Sequence, residues 1–362
     1  MQIIDGKALS SKIRAEISAQ VAELKSKGVE ACLAVILVGN DPSSELYVKN
    51  KVKASQEVGI KSILCRFPLT VTEKELIDEI ERLNADDTVS GILVQLPLPD
   101  SIDEKKITAH IDVNKDVDGF SAYQTGLLCL GTPDLAPCTP QGIIALIEST
   151  GVEIAGKHAV IVGRSNIVGR PTLQLLLQRD ATVTICHSKT QNLKEFTKTA
   201  DILVVAVGKP KLITKDMVKD GAVVIDVGIS RDENGKLSGD VDFENVKDVC
   251  SFITPVPGGV GPMTVTMLMH NTLLAAKRRQ FAPFRRFDGT LLSYVRQSTR
   301  LRTNPSRTPK IHQILAVLGM FILIKILTIL GKIFNQNSDF LELGDPAGYC
   351  VPVGKRHTRA KE

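Results

Sequence analysis

The 362-residue sequence has seven cysteines but no Cys-x-x-Cys pair, and its six histidines lack the paired spacing of metal ligands. Scattered single cysteines are typical of a reduced protein, so we expect a cytoplasmic chain without a metal site. The first residues, MQIIDGKALSSK, also lack the long apolar run of a signal peptide. The sequence thus excludes a disulfide scaffold and argues against a thiolate metal site.

The composition is that of a folded protein, with 43% hydrophobic and 23% charged residues. These values exclude a disordered or collagen-like chain, and the length indicates two or three domains. The net charge of +5 is unevenly distributed, because residues 281–362 hold 13 basic and 5 acidic residues while residues 1–280 hold 32 and 35. A mildly acidic body argues against a nucleic-acid surface, since phosphate binding needs clustered cations.

The first part of the chain alternates between strand-like and helix-like segments. The apolar run CLAVILV, residues 32–38, is typical of a strand buried on both faces. Asp41 and Pro42 predict the start of a helix, and Thr72 with Glu75 forms the capping-box pattern of another. These two helices are predicted at 42–57 and 72–84, and two further strands are predicted at 62–67 and 91–99. Such alternation predicts parallel α/β units.

A second α/β series begins after Pro140 and predicts a doubly wound sheet with its first turn at Gly163. Its predicted strands cover residues 158–164, 181–188, 201–210, 222–229 and 251–259. We therefore expect a first domain at 1–140, a second domain that begins at 141 and a basic tail at 281–362.

The segment VIVGRSNIVGRP follows a predicted strand and opens a helix, where a dinucleotide fingerprint belongs. Gly163 and Gly169 are present, but Ser165 holds the middle glycine position and the spacing is longer. A serine there can still donate to a phosphate beside the free N–H groups of the helix. A tight turn in a generic α/β domain explains the same segment.

The end of the next predicted strand, Cys186-His187-Ser188-Lys189, has no carboxylate. An NAD site usually has an acidic residue there, which binds the ribose 2′-hydroxyl. Arg164 lies in the preceding turn, so the region offers cationic and hydroxyl donors without a repelling charge. The sequence therefore favours NADP over NAD.

Five polar residues of the first part are candidates for a site. Tyr47 and Lys51 are four positions apart on one helix face, although an amphipathic helix with solvated lysines explains them too. Gln95 lies within an apolar strand, where a buried amide needs hydrogen-bond partners. Asp116 and Asp118 in KDVDG are typical of a turn. Two acids in an otherwise apolar stretch also suit the binding of a ligand with a polar ring.

Seven motifs, in chain order, resemble those of bifunctional methylenetetrahydrofolate dehydrogenase/methenyltetrahydrofolate cyclohydrolase. They are YVKNK, GILVQLPLP, KDVDGF, PCTPQG, VGRSNIVGRP, CHS and TPVPGGVGPMT. The resemblance covers about residues 1–280 and leaves the tail without a counterpart. It implies an N-terminal α/β folate domain at 1–140 and a Rossmann-like NADP domain at 141–261 around one cleft, with the helix at 262–280 packing back on the first domain. It also implies a homodimer and a place in one-carbon metabolism and purine biosynthesis.

The resemblance implies oxidation of 5,10-methylenetetrahydrofolate with NADP, followed by hydrolysis of the methenyl product to 10-formyltetrahydrofolate. Lys51 would be the catalytic lysine, with Tyr47, Gln95 and Asp118 completing the catalytic set. Leu96, Pro257, Gly258 and Gly259 would join Tyr47, Gln95 and Asp118 in binding folate. The residues implied for NADP are Gly163, Arg164, Ser165, Ser188 and Ile229.

The chemistry agrees with these roles. Hydrolysis adds water to a cationic carbon, so a base must remove a proton from that water. A dehydrogenase without cyclohydrolase activity is the alternative within enzymes. A catalytically silent folate- or nucleotide-binding protein is the alternative outside them.

The tail contains an apolar stretch at 314–334, about the 20 residues needed to cross a bilayer. Lys325 near its centre makes membrane insertion only marginally favourable. A membrane anchor, an interfacial or buried helix, and a non-native extension all explain this stretch. In each case we expect the body of the chain to remain cytoplasmic.

Overall fold

The computed structural model describes residues 1–231, 235 and 237–280, and the predicted apolar stretch at 314–334 lies outside them. The described residues form two parallel sheets with helices packed around them. This is the α/β architecture that the sequence predicts.

The smaller sheet has three strands. Its elements are α1 (Gly6–Ser26), β2 (Cys32–Val38), α2 (Pro42–Val58), β3 (Lys61–Phe67), α3 (Glu73–Ala85), β4 (Gly91–Val94), α4 (Glu104–Ala109) and α5 (Ala122–Cys129). The strand order is β3-β2-β4, with both pairs parallel. Every residue of β2 is buried, because helices cover both faces of this central strand.

The larger sheet has six parallel strands in the order β1-β11-β8-β7-β5-β6. Its strands are β1 (Gln2–Ile3), β5 (His158–Val162), β6 (Thr182–Cys186), β7 (Ile202–Val205), β8 (Val223–Asp226) and β11 (Phe252–Ile253). The remaining elements are α6 (Cys138–Ser149), α7 (Gly169–Leu177), α8 (Leu193–Thr197), the hairpin strands β9 (Ser230–Arg231) and β10 (Leu237–Ser238), α9 (Phe243–Val246) and α10 (Val260–Gln280).

The chain proceeds from β5 to β6 on one side and then to β7 on the other. The strand order reverses at this point, and ligands of doubly wound sheets bind outside the carboxyl ends of strands at such a switch. The turn after β5 begins at Gly163, where the sequence predicts a nucleotide site. The larger sheet thus presents its switch point at the predicted fingerprint.

Local signals fix the helix starts. Asp41 accepts a hydrogen bond from the backbone N–H of Ser44, and Pro42 opens α2, as predicted. Thr72 and Glu75 form the predicted capping box of α3. Most predicted strands prove shorter than the apolar segments that predict them. For example, β4 ends at Val94 rather than at 99, β7 spans four residues of the segment 201–210, and β11 spans two residues of the segment 251–259.

Helix α10 connects the two sheet regions. It packs against α1, α2 and α6, and its buried residues belong to one hydrophobic core with those of β2 and β5. The Asn271 side chain, fully buried on α10, donates to the carbonyls of Val117 and Ala136 at 2.8 and 2.9 Å. Helix α10 therefore holds the turn that contains Asp118.

Candidate active site

The side chains of Lys51, on α2, and Gln95, the residue after β4, meet in the structure. The Lys51 Nζ donates to the Oε1 of Gln95 at 2.9 Å. The Gln95 Nε2 donates to the Leu96 carbonyl at 2.6 Å, which leaves the amide oxygen facing the lysine. The Gln95 backbone N–H still bonds the Ile36 carbonyl of β2 at 2.9 Å, one residue beyond the end of β4. The buried amide is thus held from both sides.

Asp116 and Asp118 have different surroundings, although they are two residues apart. The Asp116 carboxylate accepts the backbone N–H groups of Gly119, Phe120 and Ser121 at 3.0, 3.3 and 2.7 Å. It therefore fixes the turn, as the simpler interpretation of KDVDG predicts.

Asp118 is left with little hydrogen bonding, since its Oδ1 has only a weak contact with the Cys138 thiol at 3.9 Å. Burial raises the pKa of Asp118 to about 6, and the positive charge of Lys51 opposes part of that rise. We refer to Lys51, Gln95 and Asp118 as the lysine cluster. It brings together three of the four residues for which the sequence predicts a catalytic role.

Tyr47, the fourth, lies one helical turn before Lys51 and is 43% exposed. Positions i and i+4 share one helix face, so the ring forms an open apolar surface beside the lysine cluster. Leu96, the half-buried residue after Gln95, contributes the carbonyl that orients the amide. Leu96 therefore takes part in the cluster through its backbone, whereas Tyr47 borders it.

The predicted loop of Pro257, Gly258 and Gly259 leads into α10. It packs tightly on the first residue of α1, since a Cβ on Gly6 would lie 1.9 Å from the Gly259 carbonyl oxygen. The Gly259 N–H closes the loop by donating to the Pro255 carbonyl at 2.9 Å. Within the described residues, no hydrogen bond joins this loop to the lysine cluster.

Two glycines shape the turn after β5, residues 163–169, which we refer to as the glycine turn. Gly163 has a φ of +125°, and a Cβ there would lie 2.2 Å from the Ala206 carbonyl oxygen. A Cβ on Gly169 would lie 2.0 Å from the carbonyl oxygen of Gly163. The Ser165 Oγ accepts the N–H of Val168 at 3.1 Å, and its own proton remains available to a ligand. Such a turn lets a phosphate approach the backbone closely.

The turn after β5 lies beside the end of β6, because the Gly163 N–H donates to the Cys186 carbonyl at 2.9 Å. Arg164 and Ser188 follow these two residues closely and are both exposed. Ile229, after β8, is 46% exposed, and its Cδ1 lies 3.9 Å from the Cβ position of Gly261. The predicted NADP residues therefore all lie at the carboxyl edge of the larger sheet.

Sequence reasoning missed a pair of buried carboxylates, Asp226 and Asp240, at the same edge. The available signal was an acidic residue closing the otherwise apolar segment AVVIDVGI. Burial raises the pKa of Asp226 to about 7 despite three backbone hydrogen bonds, and the neighbouring Asp240 charge adds to the rise.

A cavity of about 560 Å³ lies elsewhere, between α1, α6, α7 and α10, and none of its lining residues is a predicted site residue. In the described part of the chain, no three His, Cys, Asp or Glu side chains come together as metal ligands. No helix there is both long and apolar enough to cross a membrane. The cavity is therefore separate from the lysine cluster and from the glycine turn.

Two sequence families cover most of the described residues. Residues 4–118 match the catalytic domain of tetrahydrofolate dehydrogenase/cyclohydrolase, and residues 137–280 match the NAD(P)-binding domain of the same enzymes. The chain belongs to the tetrahydrofolate dehydrogenase/cyclohydrolase family. The sequence-based resemblance is thereby confirmed, as is the predicted pairing of a catalytic with a nucleotide-binding domain.

Individual relatives agree with this family. Bifunctional protein FolD of Bacillus anthracis is 58% identical over 276 residues, which are 76% of this chain and 96% of that protein. The crystal structure of the FolD enzyme from Campylobacter jejuni is 52% identical, with a TM-score of 0.76 over 77% of this chain and 99% of that one.

A Trypanosoma brucei relative, whose structure contains NADP and an inhibitor, is 38% identical. It has a TM-score of 0.75 over 78% of this chain and 99% of that one.

Proposed function

We propose that this chain oxidises 5,10-methylenetetrahydrofolate with NADP and hydrolyses the 5,10-methenyl product to 10-formyltetrahydrofolate. The observation that carries this proposal is the 2.9 Å hydrogen bond between Lys51 and Gln95 beside the half-buried carboxylate of Asp118. Membership of the dehydrogenase/cyclohydrolase family supports the same two activities.

Each member of the lysine cluster has a distinct role in this proposal. Lys51 removes the proton from the water that adds to the cationic methenyl carbon. Gln95 holds the amine in place, since its own amide is fixed by the Leu96 carbonyl. Asp118 accepts hydrogen bonds from the amino edge of the pterin, and its partial burial strengthens them. Tyr47 packs against the folate ring.

The other proposed folate contacts are the backbone of Leu96 and the loop of Pro257, Gly258 and Gly259. That loop is anchored to the start of α1, so it presents a fixed surface to a flat ring. The loop and the lysine cluster come from different parts of the sequence, which suits a substrate that lies between two domains.

The residues after β5, β6 and β8 fit a dinucleotide. The glycine turn leads into the start of α7, and the N–H groups at a helix start suit a phosphate. Arg164 and Ser188 supply donors for a 2′-phosphate, and Ser165 adds a hydroxyl. When bound, NADP accepts a hydride from the methylene carbon. Hydride transfer needs no acid or base, so the contribution of the protein is to hold the two carbons in contact. Ile229, exposed next to the start of α10, supplies apolar surface for that purpose.

We further propose that residues 1–140, with the helix at 262–280, bind folate and that residues 141–261 bind NADP. The proposed assembly is a cytoplasmic homodimer that binds no nucleic acid. Sedimentation of the purified chain tests the dimer.

The decisive experiment follows absorbance while the full chain acts on methylenetetrahydrofolate with NADP or with NAD. We expect methenyl absorbance to rise and then decay, with NADP supporting the faster rise. Methenyl absorbance that rises without decaying faster than the uncatalysed rate would instead indicate a dehydrogenase without cyclohydrolase activity.

A further inference from the structure

Asp226 and Asp240 are two buried carboxylates that the proposed chemistry does not use. Asp226 is 3% exposed and ends β8, and Asp240 is fully buried shortly after the hairpin of β9 and β10. The Asp240 backbone N–H donates to the Asp226 Oδ1 at 2.9 Å, so the two residues are in direct contact. Buried carboxylates are costly, and each needs hydrogen bonds that offset the loss of water.

Both oxygens of Asp226 are occupied by backbone donors. Besides Asp240, the Gly228 N–H donates to Oδ1 at 3.0 Å, and the Val241 N–H donates to Oδ2 at 2.9 Å. Asp226 therefore closes the turn after β8 and ties it to the segment that follows the hairpin.

Only one oxygen of Asp240 is used in this way. Its Oδ2 accepts the N–H groups of Val207 and Gly208 at 2.6 and 3.0 Å, whereas its buried Oδ1 has no partner. A Cβ on Gly228 would lie 2.2 Å from the Asp240 carboxyl group, so the turn after β8 packs directly on this side chain. Asp240 thus fixes the turn after β7 and supports the turn after β8.

These two turns border the proposed cofactor site. Val207 follows Ala206, whose carbonyl oxygen packs against Gly163 of the glycine turn. Gly228 precedes the exposed Ile229. We propose that Asp226 and Asp240 are positioning residues for NADP, because they set the backbone of both turns at the edge where the cofactor lies. This inference rests on the proposed function and deepens it.

Because Asp226 uses both carboxylate oxygens and Asp240 only one, asparagine substitutions at the two positions should have different effects. In Asp240→Asn, the amide oxygen still accepts both N–H groups, and the NH₂ takes the position of the unpartnered Oδ1. In Asp226→Asn, the NH₂ must face a backbone N–H whichever way the amide is turned. Asparagine is therefore expected to substitute for aspartate at position 240 and to fail at 226. If NADP binding required only the negative charges of these two residues, asparagine would fail at both positions.

The test measures NADP binding to the full chain by isothermal titration calorimetry. Asp240→Ala and Asp226→Asn are expected to weaken binding about tenfold or more, since each leaves buried N–H groups without an acceptor. Asp240→Asn is expected to bind within about threefold of the wild type. The exposed Asp248→Asn is the matched control and should bind as the wild type does.

Hydrolysis of methenyltetrahydrofolate without NADP, measured on each variant, reports whether the protein is folded. Equal weakening by Asp240→Ala and Asp240→Asn overturns the proposal, as does tight binding by a folded Asp226→Asn. If Asp226→Asn loses hydrolysis too, the two Asp240 variants decide, and failure of Asp240→Asn to fold counts against the proposal. A wild-type chain that binds no NADP overturns the proposed function as well, whereas normal wild-type binding with the wrong variant pattern overturns this inference alone.

Discussion

Lys51 donates a 2.9 Å hydrogen bond to Gln95 across 44 positions of sequence. The amide is itself fixed by the adjacent Leu96 carbonyl, so the lysine amine is held at one point rather than moving freely in solvent. A positioned amine acts as a general base far more effectively than a mobile one. The contact between these two residues therefore separates Lys51 from the other lysines of YVKNKVK.

Replacing Lys51 with methionine should lower cyclohydrolase activity by roughly 10²–10⁴-fold, the usual effect of removing a positioned base. The variant keeps the length and apolar stem of the side chain, so α2 should remain folded. The measurement is the rate of methenyltetrahydrofolate decay above the uncatalysed rate.

Lys49→Met is the matched control, because Lys49 is exposed on the same helix. It should retain normal hydrolysis. Normal hydrolysis by Lys51→Met would refute the proposed role of Lys51.

Much of this site could be predicted from the sequence because its residues carry local signals. Gln95 interrupts an apolar strand, and a buried amide must find a partner. Gly163 and Gly169 lie where a strand turns into a helix, and the structure leaves no room for a Cβ at either. Of the two interpretations of KDVDG, the turn holds for Asp116, whose carboxylate accepts three backbone N–H groups. The proximity of Lys51 to Gln95, by contrast, joins side chains 44 positions apart and depends on the tertiary fold.

Replacing Arg164 with alanine should weaken NADP binding about 10- to 100-fold while changing NAD binding little. A charge-assisted hydrogen bond to phosphate contributes roughly 1.5–3 kcal/mol, and only NADP has the 2′-phosphate. Titration calorimetry with each cofactor measures the difference.

Lys157→Ala provides the comparison for Arg164→Ala. Lys157 directly precedes β5, at the opposite edge of the larger sheet from the proposed cofactor site. Both affinities should be unchanged in this variant. Equal losses of NAD and NADP affinity in Arg164→Ala would show that Arg164 does not contact the 2′-phosphate.

The dehydrogenase should bind folate less well in acid. Burial raises the pKa of Asp118 to about 6, so the carboxylate is protonated below that pH and accepts hydrogen bonds poorly. We expect kcat/KM for methylenetetrahydrofolate to fall up to about tenfold per pH unit below 6. Asp118→Asn should have a lower kcat/KM that no longer changes over this range. An acid limb that persists in Asp118→Asn would assign the titration to another group.

Other features depend on pairings between distant segments and have no local signal. Strand β1 contains only Gln2 and Ile3, and it joins the larger sheet by pairing with β11, some 250 residues away. Asp226 and Asp240 meet only because the hairpin of β9 and β10 returns the chain to the end of β8. Sheet order decides both arrangements, and hydrophobic periodicity does not encode it.

Because of the Asp226–Asp240 pair, the free energy of unfolding should fall as pH rises. The pKa of Asp226 is about 7 in the folded chain, because burial and the Asp240 charge raise it from the ordinary 3.8. At pH values between 3.8 and about 7, the folded state therefore binds more protons than the unfolded state. Its free energy of unfolding falls by about 4 kcal/mol from this residue as pH rises from about 4 to about 7.

Asp240→Asn removes the repelling charge and should lower the pKa of Asp226. The loss of Tm between pH 5 and pH 8 should then be smaller in the variant than in the wild type, because the other titrating groups are common to both. Thermal unfolding followed by circular dichroism at the two pH values measures this difference. An identical loss of Tm in both proteins would show that the two carboxylates do not interact.

The residues after 280 should be dispensable for both activities. The family match ends at residue 280, and all residues of the lysine cluster and the proposed cofactor site precede that point. A version ending at Gln280 should therefore match the full chain in kcat and KM for oxidation and hydrolysis. Fractionation of both versions tests the apolar stretch at 314–334: a membrane anchor requires the full chain alone to sediment with membranes and to need detergent for release. Loss of dehydrogenase activity in the shorter version would place part of the function in the basic tail.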